Sequence, residues 1–244
     1  SSSEKNGTIE VVASVNQWGT VAKTLGGDNV NVTSIINSTN VDAHDYEPTT
    51  SDIAKLQKAQ VIIVNGAGYD AWAVKAAQSA NATIVNAAAV GGVNDGENPH
   101  VWFSADVRKA VAQAITEAYE QADAAKKSDF DKLHVQWKSE ENNVESKIAE
   151  VKQKSDGLAD APTESVASYL AEDMGLTDAT PSGYARATAN ESEPTPTDIR
   201  QFADALKSGE IKLLIVNTQE ESELTSKITD AAKSASVPMV ELTE

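Results

Sequence analysis

Residues 41–53 read Val-Asp-Ala-His-Asp-Tyr-Glu-Pro-Thr-Thr-Ser-Asp-Ile, and the second part of this segment recurs later in the chain. Residues 47–53 correspond to residues 193–199, which read Glu-Pro-Thr-Pro-Thr-Asp-Ile. Each copy is followed by an amphipathic segment and then by an apolar run that ends in Val-Asn, at Asn65 and at Asn217. Two similar halves predict two similar lobes, and ligands often bind between such lobes.

The first half of the chain alternates between strand and helix patterns. The run Val-Ile-Ile-Val at 61–64 is apolar at every position, which is typical of a parallel strand buried on both faces. This alternation predicts an α/β fold whose lobes are βα units with parallel sheets. The predicted elements are strands at 8–15, 30–36, 61–64 and 82–86, with helices at 17–25, at 70–79, from a Thr50 or Ser51 cap to Ala59, and from a Ser104 cap to about residue 122.

A long helix is predicted to join the two lobes. Residues 128–154 contain neither Gly nor Pro, and their apolar residues recur at helical spacing, which favours one helix of about 25 residues and about 38 Å. The predicted domains are an N-terminal lobe, 1–125, the long rigid helix, 126–157, and a C-terminal lobe, 158–244. In the second lobe we predict a helix at 166–174, a loop at 180–197 with a short strand near Tyr184, a helix from a Thr197 cap to Leu206, a strand at 211–216, a helix at 224–233 and a strand at 237–242.

Composition excludes several classes of protein. The 244 residues include 37 Asp and Glu against 20 Lys and Arg, a net charge of −17, which argues against nucleic-acid binding and suits a cationic ligand. The absence of cysteine excludes disulfides and thiolate metal sites. No apolar run is long enough to span a membrane, and residues 1–7 are polar enough to form a flexible tether.

The three histidines differ in their predicted settings. His44 follows a strand and His100 precedes a helix, both in loops at the carboxyl ends of strands, where α/β sheets bind ligands. His134 lies within the long helix and is interpreted as a partly exposed helix residue. Neutral imidazole is the commonest metal ligand, so the two loop histidines indicate a metal site. The second lobe has no histidine, and its candidate oxygen donors are Glu164, Glu191, Glu220, Glu221 and Glu244.

Motifs for other chemistry are weak. Gly-Ala-Gly-Tyr-Asp-Ala at residues 66–71 fits a dinucleotide fingerprint loosely, but a tight strand-to-helix turn explains it better. The sequence contains no phosphate-loop pattern, no His-Glu-x-x-His zinc-protease pattern and no Gly-x-Ser-x-Gly elbow. These observations give no catalytic residues.

Several motifs together resemble a known family. The motifs are Ala-His-Asp-Tyr-Glu-Pro at 43–48, Val-Asn-Gly-Ala-Gly-Tyr-Asp-Ala-Trp at 64–72, Asn-Pro-His-Val-Trp at 98–102, Tyr-Leu-Ala-Glu at 169–172 with Gly-Leu at 175–176, and Glu-Pro-Thr at 193–195. In these motifs the chain is similar to the metal-binding subunits of bacterial ABC transporters that take up zinc, manganese or iron, the cluster A-I type of solute-binding lipoprotein.

The resemblance implies two βα lobes joined by a long rigid helix, with a metal ion between the lobes. It assigns the metal ligands to His44, His100, Glu164 and Glu244. Two imidazoles and two carboxylates form a neutral complex with a divalent ion, and the oxygen donors favour Mn²⁺ over Zn²⁺, although equilibrium affinity rises toward zinc.

The function that the resemblance implies is not enzymatic. The chain would capture the divalent ion outside the cytoplasm, as a monomer held on the outer face of the cell membrane by a lipid anchor preceding residue 1. It would then deliver the ion to the membrane permease of an ABC transporter. The alternatives are a metal-dependent hydrolase, which needs an open coordination position and a general base, and a surface adhesin with a structural metal.

Overall fold

The computed structural model describes residues 7–38, 41–155, 159–162, 177–190, 192–217 and 223–242. The chain divides into two compact units, Ser1–Val144 and Glu145–Glu244, and the division falls inside one long helix. The separate linking segment at residues 126–157 stays a prediction.

The first unit is built on a four-stranded sheet in which every pairing is parallel. Its order is β2-β1-β3-β4, and the central β3 is buried along its whole length. The parallel sheet predicted from the apolar run at 61–64 is therefore confirmed. The strands are β1 (Ile9–Val15), β2 (Val30–Ile36), β3 (Val61–Val64) and β4 (Thr83–Asn86).

Helices flank this sheet and follow the strands in alternation. Ser104 caps helix α5 (Ala105–Ala122) through its side chain, as predicted, and Tyr119 of α5 packs on Phe130 of α6 (Lys127–Ser155) with ring centroids 5.3 Å apart. The helices are α1 (Asn16–Gly26), α2 (Thr50–Lys58), α3 (Ala71–Gln78), α4 (Ala87–Val90), α5 (Ala105–Ala122) and α6 (Lys127–Ser155), the last of which continues into the second unit.

The second unit repeats this topology. Its four-stranded sheet is parallel throughout, and its order, β6-β5-β7-β8, corresponds strand for strand to that of the first unit. The prediction of two βα lobes with parallel sheets is confirmed. The elements are β5 (Ala159–Pro162), β6 (Thr177–Asp178), α7 (Ser182–Ala189), α8 (Pro196–Ser208), β7 (Leu213–Asn217), α9 (Glu223–Ser234) and β8 (Met239–Leu242).

The sequence repeat forms the same capping structure in both units. Thr49 caps α2 in a capping box with Asp52, and Thr195 caps α8 in a capping box with Asp198. The predicted caps at Thr50 or Ser51 and at Thr197 are therefore wrong. A capping box pairs the cap residue with the residue three positions later, and Thr49 and Thr195 are the residues that stand three positions before an aspartate.

One further prediction for the second unit is wrong. The sequence predicts a loop at residues 180–197 with a short strand near Tyr184, but Ser182–Ala189 is helical. Tyr184 is buried and packs edge-on against Phe202 of α8, with ring centroids 4.7 Å apart. Burial of this aromatic side chain outweighs the loop-like Ser, Thr and Gly content around it. The helix predicted at 166–174 lies outside the described residues.

Candidate metal centre

The structure brings His44 and His100 together around a single tyrosine. His44 lies in the loop that follows β2, and His100 immediately precedes a short 3-10 helix, Val101–Phe103. Tyr69, from the turn between β3 and α3, contacts both imidazole rings, with centroid distances of 4.9 Å to His44 and 5.8 Å to His100. The two histidines therefore meet beside the turn at the carboxyl end of β3, and their role as metal ligands stays a prediction.

An aromatic wall lies behind the two histidines. Trp102 packs against both Tyr69 and His100, with centroid distances of 5.1 Å and 5.4 Å. Arg108 of α5 donates a hydrogen bond of 3.0 Å to the Trp102 carbonyl and pairs with Glu141 of α6 at 2.6 Å. The wall is thereby tied to two helices of the first unit.

Burial affects the protonation of one of the two rings. Burial, with a smaller contribution from the nearby His44, lowers the pKa of His100 to about 4. The imidazole of His100 is therefore neutral at neutral pH, the form that binds metal ions. No proton has to leave this ring when a cation arrives.

Each histidine is positioned by the side chain of an Asp or Asn two residues earlier. The Asp42 side-chain oxygen Oδ1 lies 2.9 Å from the backbone nitrogen of His44 and 3.2 Å from its Nδ1. Asn98 repeats the arrangement, with Oδ1 3.1 Å from the backbone nitrogen of His100 and 2.8 Å from its Nδ1. The ring and the backbone of each histidine are thus held by one oxygen atom.

The segment from the end of β3 into the first turn of α3 also contacts the residue before each histidine. The Asn65 side-chain amide donates a 2.8 Å hydrogen bond to the Pro99 carbonyl, next to His100. The Trp72 indole donates a 3.0 Å hydrogen bond to the Ala43 carbonyl, next to His44. Residues 65–72, which we call the frame segment, therefore contact both ligand loops.

The frame segment is itself fixed by a buried carboxylate. Asp70 accepts hydrogen bonds from the Ser14 hydroxyl at 2.5 Å and from the backbone nitrogens of Asn65 at 2.7 Å and Gly66 at 2.9 Å. Burial raises the pKa of Asp70, and these hydrogen bonds oppose the rise because they favour the charged form.

The conformation of the frame segment explains its glycines. Gly66, Ala67 and Gly68 have φ values of 77°, 53° and 78°, a left-handed run that favours glycine. A Cβ at Gly66 would also lie 2.1 Å from the Asn86 side-chain oxygen. A dinucleotide phosphate would need the backbone N–H groups at the end of the strand, but those of Asn65 and Gly66 already donate hydrogen bonds to Asp70. The geometry therefore agrees with the interpretation of this motif as a tight turn.

The other predicted site residues belong to parts of the chain that the structure does not describe. Glu164, Glu191, Glu220, Glu221 and Glu244 lie outside the described residues. Within the described residues, no group of three or more His, Asp and Glu side chains is placed to hold a metal ion. The described part of the centre is therefore a pair of imidazoles.

The predicted exposure of the third histidine is wrong. His134 of α6 is only 7% exposed, because this face of the helix packs into the first unit together with Trp137. Sequence reasoning missed the supporting roles of Asn65, Tyr69 and Asp70. The signal that could have found them is the Asn-Gly-Ala-Gly-Tyr-Asp run itself, which follows a buried strand.

Among the described residues, no helix is both long enough and apolar enough to cross a membrane.

Comparisons with known proteins agree in pointing to metal-uptake proteins. The family described as zinc-uptake complex component A, periplasmic, matches residues 11–244. The metal ABC transporter substrate-binding lipoprotein FimA of Streptococcus parasanguinis is 23% identical over 257 residues, covering 98% of this chain and 81% of its own. The manganese ABC transporter substrate-binding lipoprotein scaA of Streptococcus gordonii is 25% identical over 244 residues, and the match covers 89% of this chain and 76% of scaA.

Solved structures show the same fold. The laminin-binding protein Lmb of Streptococcus agalactiae, described as a bifunctional protein with adhesin and metal-transporting activity, matches with a TM-score of 0.76 at 21% identity. The match covers 96% of this chain and 88% of that one.

Proposed function

The chain belongs to the family of zinc-uptake complex component A, periplasmic, and from this membership we propose that it captures a divalent transition metal ion outside the cytoplasm and delivers it to an ABC transporter permease. The observation that carries the proposal is the pairing of His44 and His100 on Tyr69. Membership in a family of uptake-complex components also confirms that the chain is not an enzyme. This family membership supports a role in metal uptake. It does not support the alternatives of a metal-dependent hydrolase or a surface adhesin with a structural metal.

The proposed ligands are His44, His100, Glu164 and Glu244. The first two are supported by their geometry, and the two glutamates are proposed on the family resemblance. Two neutral imidazoles and two carboxylates balance the charge of a divalent ion. The net charge of −17 adds a long-range attraction for cations.

The proposed cargo is Mn²⁺ ahead of Zn²⁺. Carboxylate oxygens suit manganese, and two bidentate carboxylates with two imidazoles would give it six donor atoms. The relative scaA is named for manganese, whereas the family description names zinc. Equilibrium affinity for a given set of ligands rises from manganese to zinc, so tighter binding of zinc in a test tube is expected and does not identify the cargo.

The proposed location is the outer face of the cell membrane. Relatives FimA and scaA are named lipoproteins, and the polar residues 1–7 suit a tether between a lipid anchor and the folded chain. We propose that the protein acts there as a monomer with the permease as its partner.

The experiment is a competitive titration of chelator-stripped protein with Mn²⁺ and Zn²⁺. We expect one ion per chain, with affinity reduced at least about tenfold in His44→Ala and His100→Ala, because each removes a ligand. His134→Gln serves as the matched control, since it changes the one histidine outside the centre. Binding that survives both alanine variants would overturn the proposed site.

The glutamates and the delivery step are tested separately. Glu164→Ala and Glu244→Ala should each weaken binding, with Glu193→Ala as the control for loss of a carboxylate. Unchanged affinity in either would remove that residue from the ligand set without affecting the histidines. Delivery predicts that cells lacking the gene take up less radioactive manganese, and that the His100→Ala gene does not restore uptake.

A further inference from the structure

The two histidines share a local arrangement that their different loops do not require. At both, a side-chain oxygen two residues earlier lies within hydrogen-bonding distance of the backbone nitrogen and of Nδ1 of the histidine. One residue is an aspartate and the other an asparagine, and the intervening residue is alanine in one loop and proline in the other. The shared element is the acceptor oxygen.

This arrangement fixes which ring nitrogen carries the proton. A backbone N–H can only donate, so the atom it meets must be an acceptor, which orients the Asn98 side chain with its oxygen toward His100. The same oxygen lies 2.8 Å from Nδ1 of that ring, so Nδ1 must be the donor. In a neutral imidazole the other nitrogen, Nε2, then holds the free lone pair. The same reasoning applies to Asp42 and His44, at 3.2 Å.

We propose that Asp42 and Asn98 are positioning residues that hold both imidazoles with the proton on Nδ1, so that Nε2 of each ring is the atom offered to the metal. The metal part of this inference rests on the proposed function. Partners of this kind orient a ligand and raise its basicity, and removing one typically costs 10- to 100-fold in metal affinity.

The two positioning residues are not equivalent in charge. Asp42 is a carboxylate on a largely exposed side chain, 62% accessible, whereas Asn98 is neutral and stands beside a ring that is mostly buried. A carboxylate polarises an imidazole more strongly than an amide does. The arrangement therefore makes His44 the more strongly polarised ligand and keeps an uncompensated charge away from His100.

The experiment reads the ring protons directly. Long-range proton–nitrogen NMR of histidine-labelled, metal-free protein at neutral pH distinguishes a protonated from an unprotonated ring nitrogen. The variants are Asp42→Ala and Asn98→Ala, with Asp42→Asn and Asn98→Asp as conservative replacements that keep an acceptor oxygen. Asp45→Ala, an exposed aspartate beside His44, is the matched control. Zn²⁺ affinity is measured on the same set.

We expect the unprotonated nitrogen to be Nε2 at His44 and His100 in the wild-type protein. Each alanine variant should lose this preference only at its own histidine and weaken Zn²⁺ binding by about 10- to 100-fold. The conservative variants should keep the preference and bind within about tenfold of wild type, because the acceptor oxygen is retained.

A wild-type spectrum with the proton on Nε2 of either ring overturns the inference, and this outcome does not depend on any variant folding. Alanine variants with unchanged tautomers and unchanged affinity overturn it as well. The NMR measurement needs no metal, so a protein that binds neither Mn²⁺ nor Zn²⁺ would refute the proposed function while the tautomers are still read.

Discussion

Replacing Asn65 by aspartate keeps the shape of the side chain and turns its NH₂ group into an oxygen. That group donates hydrogen bonds to the Pro99 carbonyl at 2.8 Å and to the Gly66 carbonyl at 3.1 Å, while the other side-chain atom accepts from the Trp18 indole. Asn65 is fully buried. The substitution therefore sets an oxygen against two carbonyl oxygens in a place that water does not reach.

The magnitude follows from these contacts. Two donated hydrogen bonds are lost, each worth about 1 kcal/mol. The new carboxylate is buried without a cationic partner, a situation that costs about 3–5 kcal/mol in other proteins. We expect Asn65→Asp to lower the free energy of unfolding by about 5–7 kcal/mol at pH 7, the sum of these contributions. It should also weaken Zn²⁺ binding, because the Pro99 carbonyl beside His100 loses its donor.

Urea unfolding of metal-free protein measures the first effect, and competitive titration measures the second. Asn143→Asp makes the same chemical change at an exposed position of α6 and should stay within about 0.5 kcal/mol of wild type. Burial raises the folded-state pKa of the new carboxyl above its unfolded value. The destabilisation is therefore complete above that raised pKa and diminishes as the pH falls through it. An Asn65→Asp protein as stable as Asn143→Asp at pH 7 would refute the reasoning.

Three further predictions test other contacts. Trp72→Phe removes the donor to the Ala43 carbonyl but keeps an aromatic ring, so we expect a loss of about 1 kcal/mol in urea unfolding and weaker Zn²⁺ binding; unchanged values for both would contradict the contact. The pKa of His100 is lowered to about 4 from an unfolded value of about 6.5, so the unfolded chain binds more protons than the folded chain between these pH values. The stability of the metal-free protein should therefore decrease as the pH is lowered from about 6.5 to about 4, by at most about 3 kcal/mol. The decrease should be smaller in His100→Gln. A wild-type stability that is as flat as that of His100→Gln between pH 4.5 and 6.5 would count against this burial. Thr49→Ala and Thr195→Ala each remove the cap of a helix and should cost about 1 kcal/mol in urea unfolding, whereas no change in either would mean that its capping box is not formed in solution.

The strands of the first unit were predictable because their patterns are local, whereas β5 and β6 of the second unit were not predicted. The apolar run at 61–64 needs no knowledge of its neighbours to indicate a buried parallel strand, and β2 has the predicted limits. The cap of α2 was predictable in principle, because Thr49 stands three residues before Asp52, the spacing of a capping box. The prediction chose the serine or threonine nearest to the helix and did not use this spacing.

Other features depend on packing between distant residues. Helix α7 forms because Tyr184 is buried against Phe202, and His134 is buried because its face of α6 packs into the first unit; neither partner is visible from the local pattern. The same holds for the centre. The sequence identified His44 and His100, but the contacts of Asn65 with Pro99 and of Trp72 with Ala43 join residues that lie far apart in the chain.

The frame segment has a kinetic consequence for ion capture. It contacts both histidine rings through Tyr69 and both loops through Asn65 and Trp72, and all of these contacts are between groups of the protein itself. The conformational entropy of the two rings is thus lost when the polypeptide folds and not when the ion arrives. Their first encounter with a cation is then limited by diffusion and by the rate at which the ion sheds its water, with no loop movement to wait for.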